Sequence, residues 1–544
     1  MTCRVALLLL CVLSLSTSTL AQYGAEEAKE VFFYSDGRHS SVYLYEPPMS
    51  VRQYVEPIDE LLDLGIDTIS YAVGDCSVLL YDTKAGERWS HNIDLVDHIV
   101  WYRAGRNAKS FIDRGMDPLQ VVCEHAQRRG FKFLPHLLLN MLHTPPNRVT
   151  NNRVATFTTE HPEWQVGPEP DFPAAAHDSP NRLSFAVPEV RANRLAVINE
   201  LVSNYPSDGI ELNFIDYAPF IARKEVPDHT ETLTNWMRKI RFVANVAADT
   251  QKRPKRIVAR IAGTLTGNKA LGMDLERWIR EGLVDTVIAM PVTHGYEAGT
   301  SQLREVVKAT EGTKVKVLAG MSADHQATRE MNYAAAANAY AAGVQGVLFA
   351  TYYPDERRYP YTDEATGSIR FMGYPDIIAH KDKRFRVGAN PKADLPPKYG
   401  IPWQLPVALK EGESTPEIVV EVADDVAAKA AAGELWRCEL RVMVEHMVYT
   451  DEIRLWWNGE EIPESDQRRA DWTYQMRPRH PERYRGYRLH VDLKGDRLPK
   501  VGTNSVRVDL VKKDPQLVLP FTIPEVEVRV TYLSGRNGVL PDER

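Results

Sequence analysis

Between residues 34 and 350, short apolar runs alternate with amphipathic stretches, and this alternation restricts the fold more than any other feature of the 544-residue chain. Parallel strands need a crossover of a dozen or more residues between them, and a helix is the usual carrier. Eight runs read as strands: 41–45 (Ser41-Val42-Tyr43-Leu44-Tyr45), 68–73, 131–137, 209–215, 256–261, 286–290, 315–319 and 346–350. Helical patterns over 50–64, 118–129, 190–204, 230–248, 274–281, 302–310 and 328–342 lie between them. Several units close on a Gly just before the next run, as in Leu64-Gly65-Ile66-Asp67 and Ala342-Gly343-Val344, where Gly supplies the left-handed helix end. Asp117-Pro118 reads as a helix start. Eight strands with intervening helices, closed end to end, predict an α/β fold of the (β/α)8 TIM type. An open doubly wound sheet would want a Gly-rich phosphate turn after its first strand, and none occurs.

The chain is longer than one barrel. After Lys383 the periodicity stops, and Pro391, Pro396, Pro397, Pro402 and Pro406 predict a linker over 386–415 between a barrel at 22–385 and a second domain at 416–544. In that second part, strand-like runs at 417–422, 436–446, 452–457, 487–493, 505–510 and 524–532 and an Asn458-Gly459 hairpin signal predict a smaller all-β sandwich. Trp456, Trp457 and Trp472 are candidates for a sugar platform, although such neighbours more often divide between core and surface.

Arg4, the apolar run 5–15 and the small-residue stretch ending Thr19-Leu20-Ala21 have the order of a secretory signal peptide over 1–21, so an exported protein, secreted or periplasmic, is expected. The run is too short to span a bilayer, and Cys11 lacks the small residue that precedes a lipidated Cys, so no membrane anchor is expected. Past the leader only Cys76, Cys123 and Cys438 remain, an odd number without CxxC spacing. Buried thiols are favoured over a Cys76–Cys123 bridge. A net charge of −7 over this length gives no case for nucleic acid or an anionic membrane as partner, and oligomeric state is not legible.

The stretch Ser207-Asp208-Gly209-Ile210-Glu211-Leu212-Asn213-Phe214-Ile215-Asp216 reads as a buried strand running into a polar tip. Glu211 and Asn213 share one face and Ile210, Leu212 and Phe214 the other. A buried carboxylate must be paired, hydrogen-bonded or used. Barrel active sites lie at the carboxyl ends of the strands, and those ends carry a polar and aromatic set. Glu46 follows the first expected strand and Asp75 the second; the last end carries Tyr352, Tyr353 and Asp355. Glu211 leads as general acid/base, its pKa expected to be raised by its apolar flanks, with Asp216, Asp75, Asp324 or Glu297 as the second carboxylate. His136, Asn140, His143, Asn213, Arg260, His294, Tyr296, Tyr352 and Tyr353 are expected to bind substrate, amides and His holding hydroxyls and aromatics packing on sugar rings. Arg260 has a second reading as the counter-charge of Glu211, and Asp208 as a cap. The long segment 142–187 is expected to wall or cover the mouth. No HExxH, EF-hand, GxSxG or P-loop pattern occurs, and His136, Glu211 and His294 lack ligand spacing, so no metal or cofactor is expected.

Taken together, Val73-Gly74-Asp75, Gly115-Met116-Asp117-Pro118-Leu119, Asp208-Gly209-Ile210-Glu211-Leu212-Asn213-Phe214, Gly272-Met273-Asp274-Leu275-Glu276-Arg277-Trp278 and Ala342-Gly343-Val344-Gln345-Gly346-Val347 resemble the secreted family-10-like glycosyl hydrolases. The likeness covers most of 30–380, and Leu455-Trp456-Trp457-Asn458-Gly459-Glu460 is similar to a turn of the sandwich that often follows. The resemblance implies a (β/α)8 barrel with a β-sandwich and a glycoside hydrolase of a poly- or oligosaccharide. This chain departs from the family pattern, which has Asp at the place of Asn213, a basic residue near Asp216, and Arg and Asp where Leu138 and Met141 stand. Either the second carboxylate has moved, with Asp216 nearest, or the barrel is a non-catalytic glycan binder. A lyase using Tyr and His as base is the third reading.

Overall fold

The computed structural model describes residues 28–74, 78–91, 95–140, 153, 155–169, 182–216, 218–293, 300–322, 328–350, 366–388, 404–471 and 486–533. Eight parallel strands close into a barrel in sequence order: β1 (Glu30–Ser35), β2 (Thr68–Ala72), β3 (Lys132–Leu138), β4 (Gly209–Asn213), β5 (Arg256–Ala262), β6 (Thr286–Thr293), β7 (Lys316–Ser322) and β8 (Gly346–Ala350). The fold class is thus as expected, and seven strands fall where the sequence places them. The first does not. Residues 41–45 are no strand: Arg38–Val42 is a π-helical turn, and β1 lies upstream in Glu30-Val31-Phe32-Phe33-Tyr34-Ser35. Phe32 and Phe33 are adjacent and both fully buried, so this strand is covered on both faces and has no alternation to betray it. Consequently Glu46 is not at a strand end. It is an exposed residue paired with Arg103.

A repeated device closes the amino-terminal end. The residue just before each even-numbered strand takes the first amides of the preceding odd one. Asp67 accepts from Val31 N at 2.8 Å, Asp208 from Phe133 N at 2.8 Å, Asp285 from Ile257 N at 2.7 Å, and Gln345 from Val317 N at 2.8 Å. Their own backbones bridge the same neighbours, as when Asp208 N donates to Phe133 O and Asp208 O accepts from Arg256 N. Asp208 is therefore a cap, further held by Arg253 at 2.7 Å. Gly209 follows at φ +145°, and a Cβ there would stand 1.9 Å from Arg256 O, so the close β4–β5 approach requires Gly.

The expected start at Asp117 is one of three helix starts with the same kind of cap. Asp117 caps the helix Pro118–Arg128, Asp274 the helix Leu275–Arg280 and Thr328 the helix Arg329–Ala341, each side chain accepting a first-turn amide. The helix Ile99–Asp113 was not expected, because its polar face outweighs a thin apolar stripe of Ala104, Ala108 and Phe111. Cys123 is a buried free thiol, as is Cys438.

Downstream, two antiparallel sheets face each other across a separate apolar core. One contains β9 (Lys383–Gly388), β10 (Val407–Leu409), β12 (Leu435–Glu445), β15 (Gln467–Asp471), β16 (Gly486–Asp492) and β18 (Phe521–Tyr532); the other β11 (Ile418–Val422), β13 (Glu452–Trp457), β14 (Glu460–Ile462) and β17 (Gly502–Lys512). Asn458 and Gly459 form the two-residue hairpin loop with φ 50° and 84°, the double positive φ of a type I′ turn. Trp457 is core, and Trp456 lies under the Arg507 guanidinium, 4.3 Å from it, so neither offers an open platform; Trp472 is outside the described residues.

The expected linker at 386–415 gives way at both edges. β9 and β10 both pair with β18, so the first residues after the barrel already belong to the sandwich sheet. Apolar alternation in Lys383-Arg384-Phe385-Arg386-Val387 is a strand signal that the prolines beyond it masked. The two parts are tied: Asn338 on a barrel helix donates to Glu421 O and accepts from Ala423 N, both at 3.0 Å. Among the described residues no helix is long and apolar enough to cross a membrane.

Candidate functional site

Parallel strands bring β3, β4 and β5 side by side with His136, Glu211 and Val258 in one register and Leu138, Asn213 and Arg260 in the next. That register makes one buried polar cluster at the carboxyl end of the barrel. The Arg260 guanidinium donates to Glu211 Oε1 from Nε at 2.8 Å and from its terminal nitrogen at 2.6 Å. His136 Nδ1 stands 3.1 Å from the same oxygen and 3.2 Å from the Ser70 hydroxyl on β2. The Tyr34 ring on β1 covers both side chains, edge-on to His136 at 4.8 Å and 5.0 Å from the Arg260 guanidinium.

Charge decides what Glu211 can do. Burial alone would raise its carboxyl, but the Arg260 charge and then His136 outweigh it and hold the group at about 2. This corrects the raised pKa expected from its apolar flanks, because the sequence does not show how closely Arg260 sits. Glu211 is fully buried and ionised, with Oε2 accepting no hydrogen bond from the described residues. Desolvation, with the Arg260 charge, keeps the His136 imidazole below its usual range despite Glu211, so it is neutral near pH 7.

Asn213 links this cluster to the mouth. Its Nδ2 lies 3.3 Å from His136 Nε2 and donates to Asp216 Oδ2 at 2.7 Å. Its Oδ1 accepts from Ile215 N at 2.9 Å and Asp216 N at 3.0 Å, folding the tip back in an Asx turn. Asp216 is thereby fixed by a neutral amide while its carboxylate stays partly exposed. Asn140 is placed differently from its expected role. It is fully buried, accepts from Leu183 N at 2.8 Å and donates to Pro219 O at 3.3 Å, anchoring the end of the long segment.

Of the expected site residues, the structure gathers His136, Glu211, Asn213, Asp216 and Arg260; Asp75, His143, His294, Tyr296, Glu297, Asp324, Tyr352 and Tyr353 lie outside the described residues. Sequence reasoning missed Tyr34, Ser70 and Asp36. Asp36, just past β1, is buried, paired to His39 and accepts from Arg38 N and His39 N, each at 3.0 Å. An apolar run ending in Ser35-Asp36-Gly37 was the available signal. Among the described residues no group of three His, Cys, Asp or Glu could hold a metal ion.

Residues 39–232 match the model of the glycosyl hydrolase-like 10 family. The glycosyl hydrolase YngK of Bacillus subtilis is 24% identical over 185 residues, 33% of this chain and 31% of that protein. The glycosyl hydrolase DigH of Escherichia coli is 27% identical over 194 residues, 33% of this chain and 38% of that protein. The match thus spans about a third of the curated relatives. Among solved structures, the glycoside hydrolase domain of PgaB (BpsB) from Bordetella bronchiseptica aligns over 63% of this chain and 98% of its own length, at 13% identity and a TM-score of 0.40. The likeness to the glycosyl hydrolase-like 10 family is thus carried by residues 39–232, which include β2, β3 and β4.

Proposed function

We propose that this protein hydrolyses a glycan, with Asp216 as the carboxylate that meets the substrate. The observation that carries this reading is the Asn213–Asp216 pair. Where the family pattern has an acid on the strand and a base on the tip, this chain has an amide on the strand and the acid on the tip, held at 2.7 Å. The negative charge has moved by three residues, and the same two positions still hold it at the carboxyl end of β4, where barrel enzymes place their catalytic groups. A partly exposed carboxylate can serve as acid, base or nucleophile at a glycosidic bond. Glu211 takes a different role from the one expected of it. Buried, ionised and bound to Arg260, it has no proton to give near pH 7. It acts as a positioning residue that fixes Arg260 and His136 beneath Asn213.

Export through cleavage after residue 21 is part of the proposal, and amino-terminal sequencing of protein recovered outside the cytoplasm tests it. The activity is tested by reducing-end release from a polysaccharide panel. At least one glycan should be cleaved by the wild type and not by Asp216→Asn. Cleavage at the wild-type rate by that variant contradicts the assignment of Asp216.

A further inference from the structure

A cavity of about 350 Å³ opens between the segment that follows β2 and the helix Ile99–Asp113. Its size is at the lower end of the ~300–1,000 Å³ usual for small-molecule pockets. It flanks the mouth side of the barrel. The segment 78–91 comes from the carboxyl end of β2, and its Glu87 accepts from Thr156 N at 2.8 Å and Phe157 N at 2.9 Å, so the long segment docks on the same wall.

The lining is cationic in a chain whose net charge is −7. Tyr102, Arg106, Lys109 and Asp113 come from one face of the helix at i, i+4, i+7 and i+11, and Arg88 comes from the opposite wall. Asp113 is the one carboxylate among the described lining residues, and Lys109 holds it at 2.6 Å. Among the described residues Arg88 has only a loose ion-pair contact, 3.6 Å, with Asp82. Among the described residues no ion pair holds Arg106, whose guanidinium lies 5.5 Å from the Tyr102 ring.

Two further observations mark this as a built site. Trp89 lines the cavity with a buried indole N–H that has no acceptor among the described residues, a cost that a bound acceptor would offset. The wall is also locally strained: Ser90 adopts φ 62°, and its hydroxyl fits against the helix only because residue 105 is Gly, where a Cβ would stand 2.3 Å from Ser90 Oγ.

We propose that this cavity is a secondary subsite for a sugar unit bearing an anionic group, a carboxylate or sulfate, which Arg88 and Arg106 pair while Tyr102 packs on the ring. Guanidinium forks match such anions in a bidentate way, and an aromatic face beside them accepts the apolar face of a sugar. The proposal rests on the glycan reading only for the expectation that the anion is carried by a sugar.

The test is titration calorimetry on the full chain carrying Asp216→Asn, so that binding is read without turnover. Tetragalacturonate should bind at least about tenfold more tightly than cellotetraose, with affinity falling as salt is added. Arg88→Ala with Arg106→Ala should remove about tenfold, both side chains being exposed and dispensable for folding. Tyr102→Ala should weaken tetragalacturonate and leave competition by inorganic sulfate unchanged. Equal affinity for the two oligosaccharides, or unchanged affinity in the double Arg variant, overturns the subsite. Inorganic sulfate competing as well as tetragalacturonate overturns the sugar half of the proposal. A chain that cleaves nothing in the panel yet shows the Arg-dependent binding would refute the hydrolase reading and leave the subsite standing.

Discussion

The two ends of the barrel use carboxylates in opposite ways. At the amino-terminal end, Asp67, Asp208 and Asp285 each accept a backbone amide of the neighbouring strand, a repeated structural device with Gln345 as its neutral member, and Asp208 and Asp285 also pair with Arg253 and Arg241. At the carboxyl end, Glu211 is paired with a side-chain cation and Asp216 is oriented by a side-chain amide. A backbone amide cannot be exchanged for a ligand without opening the sheet. A carboxylate steered by an amide from one side keeps the other side available. What separates structure from function here is the kind of partner, more than burial or charge.

The largest effect expected from disturbing this arrangement is on stability. Glu211→Gln leaves Arg260 buried without a counter-charge, and loss of one partner of such a pair costs about 3–5 kcal/mol. Denaturant titration should show that loss, and replacing Arg260 as well by Met should recover much of it. If Glu211→Gln is as stable as wild type, the pair is not the keystone of the mouth. A smaller effect follows at the joint between the cluster and the mouth. Asn213→Ala frees Asp216 without removing it, so kcat should fall by about 10- to 100-fold with KM little changed, in line with the loss of one well-placed orienting contact. A KM effect alone would mean that Asn213 binds substrate and does not orient Asp216.

The smallest effect is the pH dependence. Glu211 is held low in the folded state, so its contribution is present above the unfolded value of ~4.3 and is lost as pH falls towards about 2. His136 is also held low, so the unfolded chain takes up its proton first and stability declines as pH falls below ~6.5. Both act in the same direction. The denaturation midpoint should decrease steadily from pH 7 to pH 3, and Glu211→Gln should flatten the lower part of that curve. A midpoint independent of pH over this range would contradict the ionised pair.

Much of the barrel could be read from residue order because each βα unit repeats a local signal. An apolar run, a capped helix and a Gly recur, and the Gly-x-Asp before β2 and the Asp before β4 and β6 fall at the same place in the unit. The first strand was lost because Phe32 and Phe33 are covered on both faces, whereas Ser41-Val42-Tyr43-Leu44-Tyr45 alternates without being a strand. The site was legible as a set of residue types at strand ends, and Glu211, Asn213, Arg260 and His136 do converge. Their roles were legible only in part: Arg260 is the counter-charge of Glu211, one of its two readings, but the consequence for the carboxylate was not legible. Whether a carboxylate on a strand is raised or lowered depends on a guanidinium 49 residues away at 2.6 Å, a distance that only strand register fixes. Asn140 fails for the same reason: its partners, Leu183 and Pro219, lie 43 and 79 residues away.

The contrast between the two ends is tested most directly by one crossed measurement: glycan hydrolysis and thermal midpoint for Asp216→Asn beside Asp208→Asn. Asp216→Asn should lose about a thousandfold in kcat with an unmoved midpoint, as expected for a group that moves a proton or bonds the sugar. Asp208→Asn should keep its kcat and lose about 1–3 kcal/mol of stability from its capping and ion-pair contacts. The reverse pattern, or hydrolysis by Asp216→Asn at the wild-type rate, would contradict the account.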